Sequence, residues 1–195
     1  MAILTGLYFG AFLQEFATDT SFRDACVQAG VTLPLQNPRI EVNTTNLTLS
    51  VFEDDTLIKR YDVGLGESRQ PGIANRSANS TPLGAYKIIS RYIRSDTLRR
   101  GARFLVIDYP REKDIDVAFA QSVLTDSEYE RCAVSLSRNE PLPHDLSVGG
   151  GIGICGNYFV FSSPHFTDGS IALSNSDIIG LYPHIPVGTP VIISH

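Results

Sequence analysis

Between Gly153 and Asn175 the chain reads GICGNYFVFSSPHFTDGSIALSN. Ser170 follows Gly169 directly, after Thr167 and Asp168, a spacing that suits a tight turn presenting a small nucleophile. Upstream, Cys155 precedes Gly156 in a glycine-dense apolar stretch. The chemistry such a layout serves is nucleophilic: a small side chain attacks while a neighbouring base takes its proton. Neither side chain is well suited to its part. A serine hydroxyl needs a strong, well-placed base, and a thiol is a poor one, with no second ring nitrogen to orient it. Cys155 can instead be the nucleophile, with His165, on the same loop as Ser170, or His144, between Pro143 and Asp145, as its base. Structural readings stand beside these. Cys155 can be a small apolar side chain in a strand, Ser170 can spend its hydroxyl within its own turn, and loop histidines are commonly idle.

Composition narrows the setting. The 195 residues suit one domain with a short appendage. A hydrophobic fraction of 43% is enough to bury a core. The net charge of −5 argues against nucleic acid as a partner, because phosphate binding needs a basic surface. Arg91, Arg94, Arg99, Arg100 and Arg103 form a local basic cluster, read as a solvated strand-and-turn face. Cys26, Cys132 and Cys155 have no CxxC spacing, and the four histidines have no HExxH or other metal spacing. No metal and no cofactor is therefore expected. The apolar run Ile3 to Leu13 is too short to span a bilayer as a helix. It reads as an N-terminal helix able to pack on the domain or support self-association, or else as a processed export signal. Asn43, Asn46, Asn75 and Asn79 head glycosylation sequons, read as turn composition.

The elements that must position the reactive stretch are mostly strands. Residues 1–38 form an appendage, with a short helix capped by Thr20 or Ser21 and stopped at Gly30. From 39 to 195 the texture is β. Ile40 and Val42, then Leu47, Leu49 and Val51, then Leu57 to Gly64 alternate as strands, with Asp54-Asp55 as a hairpin turn. TPLGAYKIISRYI, RFLVIDYP, GGGIGICG and PVIIS add further strands. Ile115, Ala118, Phe119, Val123 and Leu124 fall on one helical face, and an Asp126/Ser127 cap opens a second helix. Ser174 caps a last helix, with Asp177 completing its box. Thr81, Pro82 and Gly84 read as turn chemistry before a strand.

Five stretches in order carry a resemblance. TPLGAYKI (81–88), IDYPREKD (107–114), GGGIGICG (149–156), FTDGSIALSNSDI (166–178) and LYPHIPVGTPVII (181–193) are similar to the motifs of the L,D-transpeptidase catalytic domain, also called the YkuD domain. The resemblance implies a mainly β, L,D-transpeptidase-like sandwich with short inserted helices and the N-terminal helical appendage. It implies a family that attacks an amide of a peptidoglycan stem peptide through a cysteine thiolate, activated by a histidine on a neighbouring strand. The periplasm or another extracytoplasmic place is implied as its location.

Transferred residue by residue, the resemblance puts Ser170 at the cysteine position and Cys155 at the histidine position. Gly169 and His165 complete the candidate catalytic set, and Thr81, Gly84, Tyr86, Gly156, Phe166, Thr167 and Asp168 the substrate-binding one. Three readings follow. A pseudoenzyme binds a peptidoglycan stem or an envelope protein without turnover. An altered transpeptidase or amidase works through Cys155 or Ser170. A serine standing in for a natural cysteine explains position 170 but not Cys155.

Overall fold

The computed structural model describes residues 21–66, 79–93, 103–138, 140, 142–143, 145–156 and 165–195. The apolar run from Ile3 to Leu13 and the side chains of His144, His165 and Phe166 lie outside the described residues.

Eight strands form one mixed, curled sheet in the order β3-β2-β1-β10-β5-β6-β7-β9. These are β1 (Pro38–Asn43), β2 (Thr48–Glu53), β3 (Thr56–Asp62), β5 (Gly84–Ile93), β6 (Arg103–Ile107), β7 (Gly153–Cys155), β9 (Ile171–Ala172) and β10 (Pro190–Ser194). A separate parallel pair joins β4 (Leu65–Gly66) to β8 (His165–Thr167). The parallel contacts within the main sheet are β1 with β10 and β7 with β9.

The sheet follows from period-two patterning. Ile40 and Val42 are buried and alternate with half-buried neighbours along β1. The β2–β3 hairpin turns at Asp54, whose φ of +51° is a conformation that a short polar side chain tolerates. The terminal strand β10 inserts between β1 and β5, so the chain end closes the centre of the sheet.

One irregularity bears on the site. On β5, Ile88 pairs with Ile107 and Ser90 with Val106, so Ile89 is an extra residue opposite β6. Such a bulge moves every later side chain to the other face. Tyr86 and Ile88 point into the core before it; Ser90 and Tyr92 point to the opposite face after it.

Four helices occur among the described residues: α1 (Phe22–Gln28), α2 (Glu112–Ala120), α3 (Asp126–Ser137) and α4 (Asn175–Leu181). Ser21 caps α1, its hydroxyl accepting from Asp24 N at 3.2 Å, and Gly30 (φ +70°) ends that segment, both at their expected positions. Phe22, Ala25 and Cys26 join the same core as the sheet residues, so this helix packs as part of the domain. Ser174 caps α4 as expected, accepting from Asp177 N at 3.0 Å. The cap of α3 is Thr125, one residue before the expected Asp126/Ser127. Thr125 Oγ1 accepts from Glu128 N at 3.3 Å, and the Glu128 carboxylate accepts from Thr125 N at 2.9 Å. This reciprocal pair satisfies two orphan amides at once. Val123 and Leu124 fall after α2, in the turn between the helices.

Candidate functional site

Of the two candidate positions, one lies in β7 and the other directly before its parallel neighbour β9. Cys155 ends β7 beside Ala172 of β9, and Ile154 stands beside Ile171. Paired residues share a face and successive ones alternate. Ile154 and Ile171 are therefore on the core face, where both are fully buried. Cys155 and Ala172 project from the other face, with Ser170 two residues before Ala172. The pairing is locked on both sides of β9: Leu173 N donates to the Cys155 carbonyl at 2.8 Å, while Gly64 and Ala172 exchange backbone bonds at 2.8 and 2.9 Å.

The turn that carries Ser170 is held from within. Thr167 Oγ1 donates to the Ser170 carbonyl at 2.6 Å, and Gly169 N donates to Thr167 Oγ1 at 3.3 Å. Gly169 has φ +107°, a backbone conformation that disfavours any Cβ, and a Cβ there would lie 2.6 Å from the Ser80 carbonyl oxygen. The segment 79–81 thus runs directly beneath the turn. A Cβ on Gly66 would overlap the Asn79 carbonyl oxygen on that segment's other flank. Thr81 Oγ1 accepts from Gly66 N at 3.0 Å, and Gly66 pairs with Thr167 through β4 and β8. Thr81, Gly66, Thr167 and Gly169 form one connected support for residue 170.

The predicted site residues therefore separate. Ser170, Gly169, Thr167, Asp168, Cys155 and Gly156 come together at the β7–β9 edge, with Asp168 exposed and Ser170 only 6% exposed. Backbone pairing brings His165 to Leu65 in β4. Thr81 lies under the turn, its hydroxyl engaged by Gly66. Tyr86 and Gly84 lie elsewhere. Tyr86 is buried on the core face, donates to the Leu83 carbonyl at 2.8 Å, and meets the Tyr109 ring edge-on at 5.8 Å. Burial, then the Asp114 charge, pushes its phenol up, although the Arg111 guanidinium 4.3 Å above the ring opposes this. Gly84 has φ +141° at the start of β5, where a Cβ would lie 3.1 Å from the Tyr86 hydroxyl.

Among the described residues no hydrogen bond engages the Ser170 hydroxyl, and no group of three His, Cys, Asp or Glu side chains is placed to hold a metal. The three cysteines form no disulfide. Cys26 and Cys132 are buried, and burial raises both thiol pKa values; Cys155 is partly exposed. A cavity of about 650 Å³ near Arg39, Asp54 and Pro190 lies at the starts of β1 and β10, away from this edge.

Two residues beyond the predicted set share the Cys155 row. Tyr92 pairs with Phe104, Phe104 with Cys155, and Cys155 with Ala172. The place of Tyr92 in that row follows from the bulge at Ile89, which the β5–β6 pairing sets. Arg91 and Arg103, expected on a solvated face, are drawn to Tyr182. Their guanidiniums sit 4.4 and 5.7 Å from its ring centroid, and Arg91 donates to its carbonyl at 2.6 Å. An aromatic face with a carbonyl beside it draws a weakly hydrated guanidinium out of water.

Residues 37–193 match the family model of the L,D-transpeptidase catalytic domain. Similar solved structures include Bd1075 of Bdellovibrio bacteriovorus, 20% identical, with 83% of this chain and 49% of that one covered and a TM-score of 0.53. The helical cell shape determining protein Pgp2 from Campylobacter jejuni is 17% identical, covering 89% and 55%, with a TM-score of 0.50. An L,D-transpeptidase from Xylanimonas cellulosilytica is 14% identical, covering 87% and 67%, with a TM-score of 0.48. The chain spans about half the length of the first two. No curated protein matches it.

Proposed function

The chain belongs to the L,D-transpeptidase catalytic domain family, and from that premise we propose that it is a catalytically impaired member that binds peptidoglycan at the bacterial cell envelope. One observation carries the reading: the support for residue 170 is complete, while the two side chains it positions are a serine and a cysteine. Thr167, Gly169 and Ser80 fix the turn, and β7 lies alongside. Function lives in the site and not in the fold. Here the housing favours binding, and the chemistry disfavours turnover. General-base assistance is worth about 10² to 10⁴ in rate, and the intrinsic reactivity of a thiolate is lost besides. Among the described residues no base engages the Ser170 hydroxyl, and Cys155 cannot orient a proton as an imidazole would.

An extracytoplasmic location goes with a peptidoglycan ligand. No helix among the described residues is long and apolar enough to cross a membrane.

The test is retention. Full-length protein is mixed with purified sacculi at low salt and spun down; retention above a charge-matched control is expected. Protein left in the supernatant would refute the binding reading and favour a protein partner instead.

A second reading, altered acyl transfer, has its own observation: Cys155 is the least buried of the three cysteines. Incubation with a β-lactam followed by intact-mass measurement separates the two. The impaired reading expects no acyl adduct, and an adduct at Cys155 or Ser170 would replace it with the altered-enzyme reading. Iodoacetamide under native conditions should meanwhile label Cys155 and spare Cys26 and Cys132, whose thiolates burial disfavours.

A further inference from the structure

We infer that Tyr92 is a sugar-stacking residue of this site, placed to hold the glycan end of a ligand whose peptide end lies at Ser170 and Cys155. The inference rests on the peptidoglycan-binding reading and deepens it.

The placement comes from register. Tyr92, Phe104, Cys155 and Ala172 form one continuous row across β5, β6, β7 and β9. Directly paired residues project from the same face, so Tyr92 stands on the face that carries Cys155. It does so only because of the Ile89 bulge; without it, Tyr92 would point into the core. Within the row, Phe104 is 6% exposed and Ala172 1%, whereas Tyr92 is 53% exposed. The row has a packed floor at Phe104 and a ring left open to solvent at its β5 end.

Distance and chemistry select the ligand part. Two strand spacings of about 4.8 Å put Tyr92 roughly 10 Å from Cys155, and a third puts it roughly 14 Å from β9, which Ser170 directly precedes. That is the reach of about four extended peptide residues. A stem peptide with its reactive amide at Ser170 and its chain lying across the strands would deliver its sugar-bearing end to Tyr92. A phenol ring offers a π-face with negative potential, onto which the polarised C–H groups of a pyranose pack, and a hydroxyl for the sugar's polar rim. A peptide amide gains less from such a face than a sugar does.

The experiment uses the full chain and two probes: a disaccharide-peptide released from sacculi by a muramidase, and the same peptide freed of its sugars by an amidase. Affinities are measured by titration calorimetry for wild type, Y92A and Y92F. Y92A should lose about tenfold on the disaccharide-peptide and change little on the free peptide. Y92F should keep most of the affinity. Tyr92 is exposed, so unchanged melting temperatures for both variants are expected and checked. If wild type binds both probes and Y92A binds both equally well, or loses equally on both, the sugar assignment falls while the peptidoglycan reading survives. If wild type binds neither probe and is not retained on sacculi, both fall together.

Discussion

Thr167 donates its hydroxyl proton to the backbone carbonyl of Ser170 at 2.6 Å, and its own oxygen accepts from Gly169 N at 3.3 Å. One side chain thereby spans the whole turn at residue 170, and it is buried while doing so. Replacing it by valine keeps the volume but leaves a buried carbonyl and a buried amide without partners. That should cost about 1–3 kcal/mol, or roughly 2–10 °C in melting temperature for a chain of this size. Serine at 167 keeps the hydroxyl and should recover most of the loss. Equal melting of wild type and the valine variant would show that the turn is held by something else.

The glycine of that turn is tested separately. At φ +107° and with the Ser80 carbonyl oxygen 2.6 Å from where a Cβ would lie, Gly169→Ala must either strain the backbone or push the 79–81 segment away. The strain alone is about 1–3 kcal/mol. Because the displaced segment also anchors Gly66 through Thr81, the damage should reach β4 and β8. Urea midpoints measure the cost. Gly180→Ala is the control, since nothing lies within 4 Å of the added methyl and its position inside α4 favours alanine. A Gly169→Ala variant as stable as wild type would contradict the packing described.

Much of this was legible beforehand, for identifiable reasons. Ser21, Gly30, Ser174 and Asp177 announced their caps because those signals are local and involve residues at most a few positions apart. β1 showed clean alternation because Ile40 and Val42 face the core while their neighbours stay half-buried. The α3 cap was misplaced by one residue because Thr125, Asp126 and Ser127 can all cap; only the reciprocal bond with Glu128 decides, and that needs coordinates. Tyr92 was not legible as a site residue at all. Its face depends on the bulge at Ile89, a property of the β5–β6 pairing and not of either strand alone. Tyr86 shows the reverse: a motif position whose side chain turns out to be spent on the core and the Leu83 carbonyl.

Glu128 makes a pH-dependent contribution. Its carboxylate accepts from Thr125 N at 2.9 Å, the leading cause, and from Ser147 N at 2.6 Å, and its pKa is lowered to about 2. The folded value lies below the ordinary 4.5. Its stabilisation is therefore present above that ordinary value and lost as pH falls towards 2. The residue is half-buried, and solvent screening on its open side reduces the benefit to about 1 kcal/mol. E128Q should melt about 2–4 °C below wild type at pH 7. The gap should shrink between pH 4.5 and pH 2, the interval the two pKa values define. A gap independent of pH would mean that the carboxylate's charge contributes nothing.

The double substitution S170C with C155H addresses the central claim. If only the two side chains stand between this chain and acyl transfer, restoring a thiol at 170 and an imidazole at 155 should restore covalent chemistry. The β7–β9 pairing puts Cys155 beside Ala172, two residues after Ser170, and Thr167 with Gly169 fixes the turn independently of the side chain at 170. S170C alone should react slowly with a β-lactam, because Cys155 is a poor base for its thiol. C155H alone should not react, because a serine hydroxyl with an imidazole still lacks the intrinsic nucleophilicity of a thiolate. Together they should exceed S170C by about 10² or more, the ordinary value of a positioned base. The increment must also be non-additive, since nucleophile and base act as a unit. Acylation rates by intact-mass time courses measure all four proteins. If the double variant reacts no faster than S170C, position 155 does not reach position 170, and more than two side chains stand between this chain and acyl transfer.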